Sequence, residues 1–251
     1  MWRGDDYDDV ASPQFRWGSE VADRLRIDRL DDRPPALLDL GCGSGRVTEL
    51  LLARHPAVTV VAADKSPSML ARARTRLDAF GDRVHLTRLD LEADIAATVA
   101  DLGPFDAVFS TGTLHCIRDH RAMYRNIAGL LAPGGALVAQ CGGEGSVAEV
   151  RAILDDLGVR WSSYNYYAGP AESEQWLRAA GFVDVWTWLG TAPVPFETRS
   201  QAATYLLDGV LAPYLSELPE AEQREVADTV ASRLEAPTVT FVRLNVLARR
   251  G

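Results

Sequence analysis

Lysine is almost missing from this chain: Lys65 is the only one among 26 basic residues, and arginine supplies the rest. The imbalance reads as a genomic codon bias rather than as chemistry. Cysteine is also scarce. Cys42, Cys116 and Cys141 are odd in number and widely spaced, so they form neither a disulfide framework nor a metal-type pair, and they fit a reduced, cytoplasmic chain. There is no basic surplus. Acidic residues number 35 and the net charge is −9, which argues against a general nucleic-acid binder, because phosphates would find no excess of cations. No run of about 18 apolar residues occurs, so no membrane-spanning helix is expected. Met1 to Gly4 lead into acidic residues rather than an apolar stretch, and no signal peptide is expected. Internal repeats and low-complexity linkers are absent as well.

What is there is an ordinary globular composition, 47% hydrophobic and 24% charged, in a chain long enough for one large domain or two small ones. Short apolar runs alternate with helical patterns. Strands are predicted at 36–40, 58–64, 84–90 and 105–111, with a fifth after the Pro133–Gly135 turn. Helices are predicted from Ser19 to about Leu30, from Val47 to His55, from Pro67 with Ser66 as N-cap, and over about 119–131. This alternation implies a parallel sheet covered on both faces, with ligands at the carboxyl ends of its strands. Beyond residue 145 the pattern loosens into an aromatic loop (160–170), a helix stopped by Gly181, a strand (183–190), a helical stretch (198–235) and a closing strand (238–249).

The segment "LDLGCGSGRV" crowds Gly41, Gly43 and Gly45 between the first strand and its helix. Glycine there is costly in backbone entropy. Its use is to let backbone approach a ligand at the positive end of a helix, which suits a nucleotide-like molecule. A dinucleotide fingerprint would need glycine at position 46, where Arg46 stands. Asp64 closes the second strand, where a carboxylate can accept both ribose hydroxyl protons; Asp90 closes the third, where it either reads a base edge or caps a turn.

With these segments in place, "LLDLGCGSGRVTELLLARHP", "VVAADKSPSMLARAR", "LTRLDLEAD", "FDAVFSTGTLHCIRDHRAMYRNIAGLLAPGGALVAQCGGEGS" and the tail "AAGFVDVWTW…TFVRLNVLARR", the chain resembles the class I S-adenosylmethionine-dependent methyltransferases. It is closest to their small-molecule group, which includes trans-aconitate methyltransferase. The resemblance implies a single domain over 1–251 with a Rossmann-like α/β fold. Its sheet has seven strands, mostly parallel with the last antiparallel, helices on both faces and helical cap insertions. The parts are an N-terminal lid arm (1–18), a cofactor core (19–144), cap elements (145–170 and 190–236) and the closing strand (237–251). The resemblance also implies S-adenosyl-L-methionine as cofactor and S-adenosyl-L-homocysteine as product. Asp39, Gly41, Cys42 and Gly43 would hold the methionine part, with Ser110 and Thr111 alongside. Asp64 would take the ribose, and Lys65, Met69, Asp90 and Leu91 would lie about the adenosine. Tyr7, Gln14 and Trp17 of the arm would close over the cofactor.

In such chemistry the enzyme's main task is to place the acceptor close to the reacting carbon and exclude water, and a base is needed only if the acceptor must lose a proton. His115, just past the fourth strand, is the candidate base; its alternative role is to orient the acceptor or to pack under the cap. Asp119 and His120 read as helix-start residues, and His55 and His85 as structural. Metal binding by His115 and His120 is not expected, since no carboxylate cluster accompanies them. Trp161, Tyr164, Tyr166 and Tyr167 either wall an acceptor pocket, attract the sulfonium through their ring faces, or pack the cap onto the core. Glu144 and Glu172 read as helix-start charges. A carboxylate acceptor would need arginine, with Arg46, Arg160 and Arg199 as candidates. The expected partner is a small molecule, with neither nucleic acid nor membrane; hydroxyl, carboxylate, amine and carbon acceptors remain open. A cyclisation on the same fold and cofactor, and a non-catalytic adaptor, stand as the alternative functions.

Overall fold

A computed structural model of the chain describes residues 12–92, 103–159 and 165–251. Tyr7, Arg160, Trp161 and Tyr164 lie outside the described residues. The seven strands are β1 (Ala36–Leu40), β2 (Thr59–Asp64), β3 (Val84–Arg88), β4 (Phe105–Thr111), β5 (Leu131–Gly142), β6 (Phe182–Pro195) and β7 (Thr238–Arg250). They form one sheet in the order β3-β2-β1-β4-β5-β7-β6. Strands β1 to β5 pair in parallel, whereas β7 runs antiparallel to both β5 and β6. The described helices are α1 (Ser12–Ala22), α2 (Arg46–Arg54), α3 (Pro67–Leu77), α4 (His120–Leu130), α5 (Ala148–Asp156), α6 (Pro170–Ala179), α7 (Arg199–Leu206) and α8 (Glu220–Arg233).

β1 reads "ALLDL" because a central parallel strand is buried on both faces. Leu37 points into the layer with α1, α2 and α3, while Leu38 and Leu40 point into the layer with α4 and α6. A third apolar cluster joins α5, α7 and α8 to Val194 of β6 and to Val239 and Phe241 of β7, so the cap has a core of its own beside the sheet. The helix starts follow their sequence signals. Ser66 accepts a hydrogen bond from the Met69 amide, with Pro67 at the first helical position, and the Asp119 side chain accepts from the Ala122 amide.

Two expectations need correction. The first helix spans Ser12–Ala22 rather than running from Ser19 to about Leu30: Trp17 and Val21 are both buried one turn apart, so the apolar face extends N-terminal to Ser19 and takes in part of the expected arm. Glu144 starts no helix, since α5 begins at Ala148; its amide donates to the Ala168 carbonyl in a turn.

The strand order reverses between β1 and β4. In an open α/β sheet the crevice at such a switch point, outside the carboxyl ends of the strands, is where ligands sit.

Candidate functional site

The glycine turn lies at that switch point. Gly41 has φ +77, and a Cβ on it would fall 2.1 Å from Thr113 Oγ1, so both conformation and space demand glycine. Gly43, with φ +56, has no atom within 4 Å of where a Cβ would stand: its open side is room for a ligand. The turn is tied down from behind, with the Gly41 and Cys42 amides donating to the Ala63 carbonyl of β2.

Two carboxylates face this turn. Asp64 accepts from the Gly43 amide at 2.9 Å and from the Ser66 amide at 2.8 Å; each oxygen keeps lone pairs for a ligand hydroxyl. Burial raises its pKa, against those two backbone bonds and the Lys65 charge. Asp39 is 2% exposed and accepts from Thr48 Oγ1 at 2.6 Å. Burial pushes its pKa up to about 7, with the Thr48 bond opposing and the Asp64 charge adding. A cationic ligand in the crevice would relieve both carboxylates.

The other expected cofactor residues fall around the same strand ends. The Leu89 amide donates to the Asp64 carbonyl, which brings the 89–92 turn beside β2; Leu91 is buried there, and Asp90 accepts from the Glu92 amide. Met69 is buried on the first turn of α3, and Lys65 is exposed. Ser110 spends its hydroxyl proton on the Leu40 carbonyl at 2.8 Å. A Cβ on Gly18 of α1 would approach Val47 to 2.6 Å and Thr111 to 3.5 Å, so α1 crosses close over the ends of β4 and the glycine turn. From α1, Gln14 donates to the Tyr205 hydroxyl at 2.8 Å, and its buried carbonyl oxygen has no partner among the described residues. Trp17 is buried against Phe241, with the Arg243 guanidinium over its ring at 4.7 Å.

His115 sits in a short 3₁₀ turn after β4. Its Nδ1 accepts from the Gly142 amide at 3.3 Å, an assignment that puts the proton of the neutral ring on Nε2. Burial, followed by the charges of Arg243 and His120, lowers its pKa to about 3. The Tyr167 ring stacks on it, centroids 5.7 Å apart and planes 12° from parallel. Gly142 makes that stack possible, for a Cβ there would lie 2.5 Å from the Tyr167 ring. A neutral imidazole whose one lone pair is engaged is a donor, so the geometry works against His115 as a base.

The aromatic loop divides. Tyr167 joins His115, whereas Tyr166 turns to the α4–α6 face, its ring against His120 and Trp176 and its hydroxyl on Glu172 at 2.9 Å. Of the arginines, Arg46 lies over the Phe15 ring. Arg199 donates to the carbonyls of Ala231, Leu234 and Glu235 and so closes the C-terminus of α8. Sequence reading missed Arg243, which is 7% exposed and bonds Gln140, itself bonded to Asn245. It missed Tyr205 and Tyr214 as well. The alternating pattern of β7 gave only a signal of which of its residues face inward. Among the described residues no cluster of three or more metal-ligating side chains occurs, and no helix is long and apolar enough to cross a membrane.

A methyltransferase-domain family model matches residues 38–137. The trans-aconitate 2-methyltransferase of Delftia acidovorans is 30% identical over 85% of this chain and 87% of its own length. That of Methylobacterium nodulans is 34% identical over 61% of this chain and 60% of its own. The fold matches Haemonchus contortus phosphoethanolamine N-methyltransferase 2, solved with S-adenosyl-L-methionine, at a TM-score of 0.59 and 17% identity over 98% of this chain and 56% of that one. The strand order, the glycine turn and the near full-length likeness to the Delftia protein lead to one conclusion: this chain belongs to the class I S-adenosylmethionine-dependent methyltransferases.

Proposed function

We propose that this methyltransferase acts on a carboxylate oxygen of a small organic acid. The observation that carries the reading is His115 held neutral and turned donor by the Gly142 amide, with the buried Arg243 charge close enough to act on it. A carboxylate is already a nucleophile at neutral pH and needs no base. It needs donors and a cation, which is what this side of the crevice offers. A phenol or an ammonium would need a proton acceptor there instead. The Delftia and Methylobacterium relatives are trans-aconitate 2-methyltransferases, and trans-aconitate is the first acid to try.

S-adenosyl-L-methionine supplies the methyl group. Gly43 leaves open room for it, Asp64 offers lone pairs to its ribose, and Asp39 and the unpartnered Gln14 oxygen suit its cationic end. The work of the chain is then to hold the acceptor in line and keep water out.

The test is methyl transfer to a panel of di- and tricarboxylic acids against phenols, amines and activated carbon acids. A base-labile methyl ester from an acid is expected; a base-stable product from another acceptor, with every acid inert, would overturn the reading. In the same assay His115→Ala should raise the Michaelis constant for the acid, and His115→Gln, which restores an N–H donor, should recover much of the rate. The wild-type turnover should not follow an imidazole titration between about pH 5.5 and 8.

A further inference from the structure

The cap helix carries an irregularity that the reaction so far does not use. α7 does not end at Leu206: it widens into a π-helical segment, Leu207–Leu211, and resumes as the α-helical turn Ala212–Leu215. The sequence explains the widening. Pro213 has no N–H to offer the carbonyl of Gly209, four residues before it, so a regular ladder fails there. π segments of this kind are rare and recur at functional sites.

The consequence is a change of phase. Tyr205 and Tyr214 are nine positions apart. In an uninterrupted α-helix that spacing puts them about 180° apart, on opposite sides. One residue absorbed in a widened turn removes about 100° of rotation and leaves them about 80° apart. Both can then reach inward. Tyr205 receives the Gln14 amide of α1, and Tyr214 receives the Asn165 amide beside Tyr167.

The protons in this second group can be followed. Asn165 Nδ2 donates to the Tyr167 oxygen at 3.1 Å and also to the Tyr214 oxygen. The two hydroxyls also bond each other, and burial raises the pKa of both. Both amide hydrogens are thereby spent within the trio. The Tyr167 ring, fixed through its hydroxyl by Asn165 and Tyr214, lies flat against His115.

We infer that Tyr214 is a positioning residue for methyl transfer, delivered by the π segment, which fixes the Tyr167 ring and through it the plane in which His115 presents its N–H. The inference rests on the reading of His115 as the donor that orients the acceptor. A packing role would need only the ring of Tyr214, since its hydroxyl goes to Asn165 and Tyr167.

The test has an arm that needs no acceptor. In the full-length protein with S-adenosyl-L-homocysteine, the imidazole nitrogens of His115 are followed by nuclear magnetic resonance in the wild type and in Tyr214→Phe. The wild type should show a single Nε2–H tautomer; the variant should show a shifted or exchange-broadened His115 in a protein that still unfolds in one transition, its melting temperature lowered by no more than a few degrees. In turnover, Tyr214→Phe should lose about tenfold in kcat/KM for the acceptor with the Michaelis constant for S-adenosyl-L-methionine unchanged. Tyr167→Phe/Tyr214→Phe should be no worse than the worse single variant, because the two act as one unit. Deleting Gly209 to regularise the helix should cost at least as much; if that variant does not fold, Tyr214→Phe alone decides. A His115 signal unmoved in Tyr214→Phe, or additive losses in the double variant, would overturn the inference. Failure of every acid as acceptor, with the His115 signal moved, would instead count against the proposed acceptor and leave the positioning role standing.

Discussion

Asp39 shows how one residue can report on the cofactor. A carboxyl ionises near 3.8 in an unfolded chain and here near 7. Between those values the folded protein holds a proton that the unfolded chain has lost. Its contribution to stability therefore declines as pH rises from 3.8 toward 7 and is constant above. A cation bound beside Asp39 favours the ionised form and drives that proton off. Binding of S-adenosyl-L-methionine at about pH 6 should thus release close to one proton, and at pH 8.5 almost none. Calorimetry in two buffers of different ionisation enthalpy measures this directly. Asp39→Asn, which can still accept from Thr48, should abolish the release. Equal proton release in wild type and variant would mean that another group carries the linkage. His115 has the opposite sign: its pKa is lowered from 6.5 to about 3, so the stability it contributes is complete above 6.5 and is lost as pH falls toward 3.

At the scale of elements, the switch point depends on how β1 and β4 are stitched at their carboxyl ends. Ser110 donates to the Leu40 carbonyl across the two strands, and both residues are fully buried. Ser110→Ala leaves that carbonyl without its partner, which should cost about 1–3 kcal/mol and several degrees in melting temperature. Cofactor affinity, measured in the same sample, should change little, since the hydroxyl faces its neighbour strand; a large loss of affinity with no loss of stability would contradict this. β1 and β4 were legible to the residue because central parallel strands are continuous apolar runs bounded by turn signals. β6 was legible only in part. It was expected over 183–190, with 190–236 as a cap element, and runs from Phe182 to Pro195; Pro193 and Pro195 are tolerated because an edge strand has an unpaired side on which a missing N–H costs nothing. The site divides in the same way. The glycine turn, Asp64 and His115 are marked by their place at strand ends. Tyr205 and Tyr214 are not: their partners lie 191 and 49 residues away, and the π segment shifts the phase by which a helical pattern is recognised.

At the scale of the whole molecule, two elements belong to two cores at once. α1 sends Val21 and Ala22 into the layer beneath the sheet and Trp17 into the cap cluster. β7 gives Val239 and Phe241 to the cap and Val246 and Ala248 to the core beside α4. A cap held by shared elements cannot unfold without loosening the sheet, so urea denaturation should be one transition, superimposable by circular dichroism and tryptophan fluorescence. Trp17 is where that sharing is concentrated, between Phe241, the Arg243 guanidinium and the helix that crosses the glycine turn. Trp17→Ala removes a fully packed aromatic ring and a cation–π contact, which should cost about 3–5 kcal/mol. Because α1 also reaches Tyr205 through Gln14, the loss should weaken cofactor binding and acceptor turnover together. The check is urea denaturation of Trp17→Ala with and without S-adenosyl-L-homocysteine. One transition shifted to lower urea, with a smaller ligand-induced gain than in the wild type, is the expected result. If the cap folds on its own, the variant will instead show an early transition of the cap alone, with the main transition and its ligand response unmoved.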